Sequence, residues 1–132
     1  MPLVRIDHSD ARTNPREIAD AVHRAIVDTY GIPERDRFQV LAARPAEAII
    51  AQDAGLGFER QDPVIIQIFT QRGRDVAQKQ ALYAEIAAAL EPVGVAGSDV
   101  FIGYVENGPE DWSFGFGTAQ YVTGELGVPR TD

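Results

Sequence analysis

Pro63-Val-Ile-Ile-Gln-Ile-Phe69 carries apolar residues on both of its alternating faces, which predicts a strand in the interior of a sheet. A shorter version of it stands at Pro2-Leu-Val-Arg-Ile6, where Val4 and Ile6 alternate with Leu3, Arg5 and Asp7. Each stretch leads into a helical pattern. After the first, Asn14 suits an N-cap, Pro15 the first helical position and Glu17 the third residue of a capping box. Ile18, Val22, Ala25, Ile26 and Tyr30 then form one apolar stripe, which Gly31 ends and Pro33 prevents from resuming. After the second, a helix is expected from about Asp75 to Leu90, with Leu82, Ile86 and Leu90 on one side and Pro92 as its stop. Phe38-Gln-Val-Leu-Ala42 and Val100-Phe-Ile-Gly-Tyr-Val105 read as closing strands.

The halves overlay. Pro2 falls on Pro63 at an offset of 61, and Gly31, Ile32 and Asp36 fall on Gly94, Val95 and Asp99 at an offset of 63. One two-residue length change aligns the unit, so the chain reads as a duplicated β-α-β module, α/β (α+β) in class, spanning 2–43 and 63–106. Two such units give a four-stranded sheet with both helices on one face. Too few helices remain to cover the other face, so oligomerisation is expected. Segment 44–62 reads as an irregular connector, and 107–132 as a tail rich in glycine and aromatic residues.

The 132 residues fit a single domain with enough apolar content, 45%, for a core. With 12 Lys and Arg against 20 Asp and Glu, the net charge of −8 argues against nucleic acid as partner. The absence of cysteine rules out disulfides and thiolate zinc sites. No apolar run approaches the roughly 18 residues of a membrane span. An aspartate and a histidine within the first ten residues argue against a signal peptide, so a cytoplasmic location is expected. His8 and His23, 15 residues apart with no third ligand at metal spacing, are expected to be structural or exposed.

Several short motifs remain. Pro2 follows Met1; Ile32-Pro-Glu-Arg-Asp-Arg37 precedes the second strand; Arg72-Gly-Arg74 follows the third; and Asp111-Trp-Ser-Phe-Gly115 runs on to Thr123-Gly-Glu-Leu126. With the duplicated module, this set resembles the tautomerase superfamily, and within it the malonate semialdehyde decarboxylase branch. The resemblance implies that Pro2, freed by loss of Met1, is a working amine in its cationic form, with Asp36 beside it. It implies that Arg72 and Arg74 bind a substrate carboxylate and that Trp112, Phe114, Tyr121 and Leu126 form an apolar wall, with Tyr121 standing where relatives carry Phe. The implied reaction is cofactor-independent decarboxylation of a small 3-oxo acid by a homotrimer, with no metal and no membrane partner.

The residue types fit that chemistry. A pair of arginines between a strand end and a helix N-terminus favours an anion. An apolar wall favours loss of charge from a carboxylate. Other readings stay open. Arg72 and Arg74 also suit a solvated turn answering Asp75, Asp36 a turn of alternating charge, and the tail aromatics simple packing. The same parts suit hydration of an unsaturated acid, with a tail glutamate among Glu106, Glu110 and Glu125, or keto–enol tautomerisation with a neutral Pro2. With Met1 retained, a non-enzymatic trimeric binding protein is the remaining reading.

Overall fold

The computed structural model describes residues 1–127. Seven elements follow in order: β1 (Leu3–Ser9), α1 (Pro15–Tyr30), β2 (Phe38–Arg44), β3 (Val64–Gln71), α2 (Val76–Leu90), β4 (Val100–Asn107) and the short α3 (Gln120–Thr123). The sheet order is β2-β1-β3-β4. β1 runs parallel to β2 and β3 parallel to β4, so each half is a β-α-β unit. The halves join through antiparallel β1 and β3, centred on the pair Arg5–Gln67. The central position expected for β3 is therefore observed.

The alternation along the strands decides where the core lies. Val4 and Ile6 of β1 and Val64, Ile66 and Ile68 of β3 are buried beneath the helices. Against them pack Ile18, Val22 and Ile26 of α1 and Leu82, Ile86 and Leu90 of α2. Each helix thus buries the stripe its spacing predicts, at roughly 1.5–3 kcal/mol per large side chain. The opposite face stays open. Phe38, Val40, Phe101 and Val105 are between 39% and 49% exposed there, and among the described residues no helix or second sheet covers them, although the Phe114 ring meets Phe38 at 5.6 Å.

The helix ends differ from expectation in one instructive way. Asn14 does not cap α1. Its amide donates to Glu17 Oε2 at 3.2 Å and to the Val93 carbonyl at 2.8 Å, tying the start of α1 to the turn beyond α2. The capping box belongs to α2 instead: Asp75 Oδ1 accepts from the Gln78 amide, and Gln78 Oε1 from that of Asp75. Both helices approach a left-handed glycine, Gly31 at φ 67° and Gly94 at φ 91°. α2 reaches its glycine through a 3₁₀ turn, Glu91–Val93, that includes Pro92. The tail is not wholly irregular, since α3 and a 3₁₀ turn at Pro109–Asp111 punctuate it. Among the described residues, no helix is long and apolar enough to cross a membrane.

Candidate active site

The duplication places an aspartate in the turn before the last strand of each unit. Both turns close identically: Asp36 N–H donates to the Pro33 carbonyl at 3.0 Å, and Asp99 N–H to that of Ala96 at 2.9 Å. Both aspartates are buried, at 5% and 3% exposure. Their surroundings differ. Asp99 accepts from the Gln61 amide at 2.8 Å. Arg12, reaching over from the loop after β1, lies 4.0 Å from Asp99 and donates to the carbonyls of Asp62 and Gly94. This half is filled by the protein's own cation. Arg12→Ala is expected to cost about 3 kcal/mol by stranding the Asp99 carboxylate, read as a drop in the denaturant midpoint.

The other half is open. Asp36 Oδ1 has no hydrogen-bond partner among the described residues, and Oδ2 lies 3.9 Å from the Met1 amine. His23, buried in α1, hydrogen-bonds the Glu34 carbonyl at 2.8 Å and so holds the turn that carries Asp36. The histidine is structural, as its spacing suggests. Arg74 reaches this site from the loop after β3, much as Arg12 reaches the other one. It is 8% exposed, and among the described residues it makes no hydrogen bond or ion pair. Its guanidinium rests instead on the Tyr30 ring, 4.5 Å from the centroid. Met1, Tyr30, Ile32, Asp36, Arg74 and Tyr121 line a cavity of about 340 Å³, with Leu126 at its edge.

Electrostatics in this cavity follow from burial. Desolvation pushes the Met1 amine below its ordinary 8.0 and Arg74 pushes the same way, while Asp36 opposes them. Desolvation also raises the Asp36 carboxyl, against the pull of the amine, His23 and Arg74. Burial and the Asp36 charge push the Tyr121 phenol up to about 12, so it is a neutral hydrogen-bond donor near pH 7.

The residues singled out in the sequence therefore divide. Pro2, Asp36, Arg74, Tyr121 and Leu126 come together, Pro2 being buried directly behind Met1. Arg72 does not enter the cavity. Its side chain is 63% exposed and lies 3.8 Å from an equally exposed Glu110. Trp112 and Phe114 line a separate cavity of about 440 Å³ over the open sheet face, with Leu3, Phe38 and Phe69. The two rings stack, with centroids 5.8 Å apart, and Trp112 Nε1 donates to Asn107 Oδ1 at 2.8 Å. Phe114 meets the Tyr121 ring edge-on at 5.3 Å, so the aromatic series joins the two cavities. Gln120 pins the glycine turn between them, accepting from the Phe114 amide and donating to the Gly115 carbonyl. Among the described residues, no group of three His, Asp or Glu could hold a metal ion.

Two family models, each described as tautomerase enzyme, match residues 36–115 and 2–59. The chain belongs to the tautomerase family. It is 36% identical over 129 residues to the probable tautomerase YrdN of Bacillus subtilis (strain 168), covering 96% of this chain and all of that one. A solved structure of FG41 malonate semialdehyde decarboxylase, inhibited by 3-bromopropiolate, is 58% identical and superposes with a TM-score of 0.94 over 96% of this chain and 99% of the other. A second malonate semialdehyde decarboxylase is 34% identical with a TM-score of 0.88, over 94% and 98% of the two chains. It is described with decarboxylase and hydratase activities and studied as wild type, as a variant with its leading proline changed to alanine, and inactivated. These likenesses place the chain in the malonate semialdehyde decarboxylase-like branch. The fold extends to a fused 4-OT solved as a symmetric trimer, 21% identical with a TM-score of 0.75 over 92% of this chain and 98% of that one.

Tyr30 and His23 are not singled out as site residues by the sequence. Tyr30 reads as one more member of the α1 stripe, and only tertiary packing puts Arg74 on its ring. His23 sits at helical spacing among apolar neighbours and gives no sign of the Glu34 carbonyl it holds.

Proposed function

We propose that this protein is a cofactor-independent carboxy-lyase acting on a small 3-oxo acid such as malonate semialdehyde, with Pro2 as its N-terminal amine once Met1 is removed. The observation that carries this reading is a buried arginine and a buried aspartate, neither neutralised by the fold, facing the chain's amino end in one cavity. The filled half of the molecule supports it by contrast. Where the protein supplies Arg12 and the Gln61 backbone N–H to Asp99, it leaves Asp36 and Arg74 for a ligand.

Arg74 takes the substrate carboxylate and holds the C1–C2 bond across the plane of the carbonyl, so that the breaking bond overlaps the π system. Gripping the carboxylate alone would stabilise the ground state as much as the transition state. An iminium route uses the neutral Pro2 amine as the nucleophile, in a cavity where burial and Arg74 disfavour a terminal ammonium and Asp36 favours it. The Pro2 nitrogen bonds to C3 and the carbonyl oxygen leaves as water. The C1–C2 electron pair then flows to the iminium nitrogen as CO₂ departs. Protonation at C2 and hydrolysis return Pro2 and release acetaldehyde. In the alternative, a cationic Pro2 donates a hydrogen bond to the carbonyl and stabilises the enolate directly. Asp36 orients the amine in either route. Phe114 and Tyr121, with Trp112 beyond them, keep the carboxylate side apolar. Arg72, at the surface, contributes field to the entrance rather than a grip.

A second reading has its own support: the partnerless Asp36 Oδ1 suits activation of a water, and the relative at 34% identity is described with hydratase activity as well. The exposed sheet face, with the trimeric state of the fused 4-OT, supports a homotrimer.

The test is intact mass of the purified protein before and after malonate semialdehyde with borohydride, alongside CO₂ release. Loss of one Met, CO₂ release and a trapped adduct support the iminium route, whereas a Met1-free protein that releases no CO₂ sinks the proposal. Titration gives a second check. Asp36→Asn is expected to lower the pKa of the terminal amine further and Arg74→Ala to raise it, because the first change removes its attractive neighbour and the second its repulsive one. Following that amine by NMR reads both shifts.

A further inference from the structure

A desolvated guanidinium ordinarily spends its N–H groups on carboxylates or carbonyls, as Arg12 does on Asp99 and on the carbonyls of Asp62 and Gly94. Arg74 is just as buried, at 8% exposure, yet among the described residues it makes no such contact and lies over the Tyr30 ring. The difference has a chemical consequence. A guanidinium carries five N–H donors, and a ring face attracts its charge without accepting any of them as an oxygen would. The Tyr30 ring therefore steadies the cation while leaving its donors for a ligand.

Tyr30 is itself fixed from behind. It is the last residue of α1, and its hydroxyl lies 3.2 Å from that of Tyr104 on β4. Tyr104 is in register with buried Ile68, which turns it toward the helices. There Tyr83 of α2 meets its ring edge-on, with centroids 6.3 Å apart. One turn earlier in α2, the Lys79 ammonium lies 5.0 Å from the centroid of the same ring and pairs with Glu106, two residues beyond Tyr104 on β4. Three of the chain's four tyrosines and its single lysine thus form one line ending at Arg74. Of that line only Tyr30 and Arg74 reach the cavity. Burial raises both bonded phenols, so each stays protonated and one must donate to the other. Charge sets the direction. Lys79 is answered by Glu106, whereas Arg74 has no ion-pair partner among the described residues, so electron density is favoured on Tyr30 and Tyr104 donates. Accepting that hydrogen enriches the Tyr30 ring and strengthens its hold on the cation.

We propose that Tyr30 and Tyr104 are positioning residues for Arg74: the Tyr30 ring carries the guanidinium, the Tyr104 hydroxyl fixes the ring, and the N–H fork is oriented before the substrate carboxylate arrives. This rests on the reading of Arg74 as the carboxylate grip. The pair supplies orientation and leaves the charge to Arg74 itself. Decarboxylation depends on the angle between the breaking bond and the carbonyl plane, so a loosened fork still binds the acid but holds it at unproductive angles. Its loss is felt in kcat rather than in KM.

Two measurements on the protein lacking Met1 test this. In the first, Tyr30→Leu is expected to lower kcat on malonate semialdehyde about thirtyfold with KM within about twofold. Tyr30→Phe restores the ring and recovers all but about threefold, and Tyr104→Phe costs about fivefold. Tyr83→Phe, the same deletion on the neighbouring ring, is expected to leave kcat unchanged. A merely structural role would lower the folded fraction and leave kcat per folded molecule intact. The second measurement needs neither turnover nor ligand. NMR relaxation of the Arg74 Nε–H, assigned by its absence in Arg74→Lys, is expected to give an order parameter of about 0.85, falling below about 0.6 in Tyr30→Leu. An order parameter that stays high in Tyr30→Leu overturns the positioning role, as do equal kcat losses in Tyr83→Phe and Tyr104→Phe. The expected loss of order in a protein that releases no CO₂ upholds the role and refutes the decarboxylase reading instead.

Discussion

A preparation of this protein that keeps Met1 is expected to release no CO₂ from malonate semialdehyde, whereas the chain beginning at Pro2 does so with ordinary enzymatic turnover. With Met1 in place the proline nitrogen is a tertiary amide; it carries no proton, cannot titrate and cannot form an iminium. The Met1 amine is no substitute, although it lies 3.9 Å from Asp36, because it is displaced by one residue from the position Pro2 would take. Met1 also lines the cavity that the substrate needs. Pro2→Leu provides the comparison, since a large second residue prevents removal of Met1. Its expected phenotype is loss of CO₂ release beyond detection with little change in the denaturant midpoint. Full turnover in a protein whose mass includes Met1 would remove Pro2 from the chemistry.

The fold was legible because its determinants are local and repeated. Alternation in β1 and β3, the stripes on α1 and α2, and the Gly–Asp spacing shared by the halves each survive in the structure. What escaped was the choice between equivalent local options. Asn14 and Asp75 are both competent N-caps, yet only Asp75 caps. The Val93 carbonyl, brought close by the packing of the two helix ends, draws the Asn14 amide away. No pattern in the first 30 residues contains that carbonyl.

The site was legible to a different degree. Asp36, Arg74, Tyr121 and Leu126 share a cavity with Met1, the residue before Pro2, but Arg72 and Arg74, only two residues apart, separate completely. Were the strand to continue, they would share a face. It ends at Gln71, and Gly73 adopts φ 134°, a conformation that turns the chain between the two arginines.

That separation makes the two arginines unequal in function. Arg74→Ala is expected to lower kcat/KM by about a thousandfold, as befits loss of a charge-assisted, bidentate grip in a buried site. Arg72→Ala is expected to stay within about tenfold, because an exposed cation beside Glu110 acts through a screened field. Arg74→Lys falls between them, keeping the charge and losing the fork that orients the carboxylate. Stability separates this account from a structural role for Arg74. Its guanidinium is desolvated over the Tyr30 ring and, among the described residues, has no ion-pair partner, so removing it relieves about as much as it loses. The unfolding free energy of Arg74→Ala, read from the denaturant midpoint, is therefore expected to change by no more than ~1 kcal/mol while activity collapses. Arg12→Ala, its counterpart in the filled half, is expected to do the reverse, unfolding more easily with kcat/KM per folded molecule little changed. The contrast reads out one duplicated position divided between holding the fold and holding a substrate. Equal losses of activity in Arg72→Ala and Arg74→Ala would refute that division, and a large destabilisation by Arg74→Ala would return the residue to the fold.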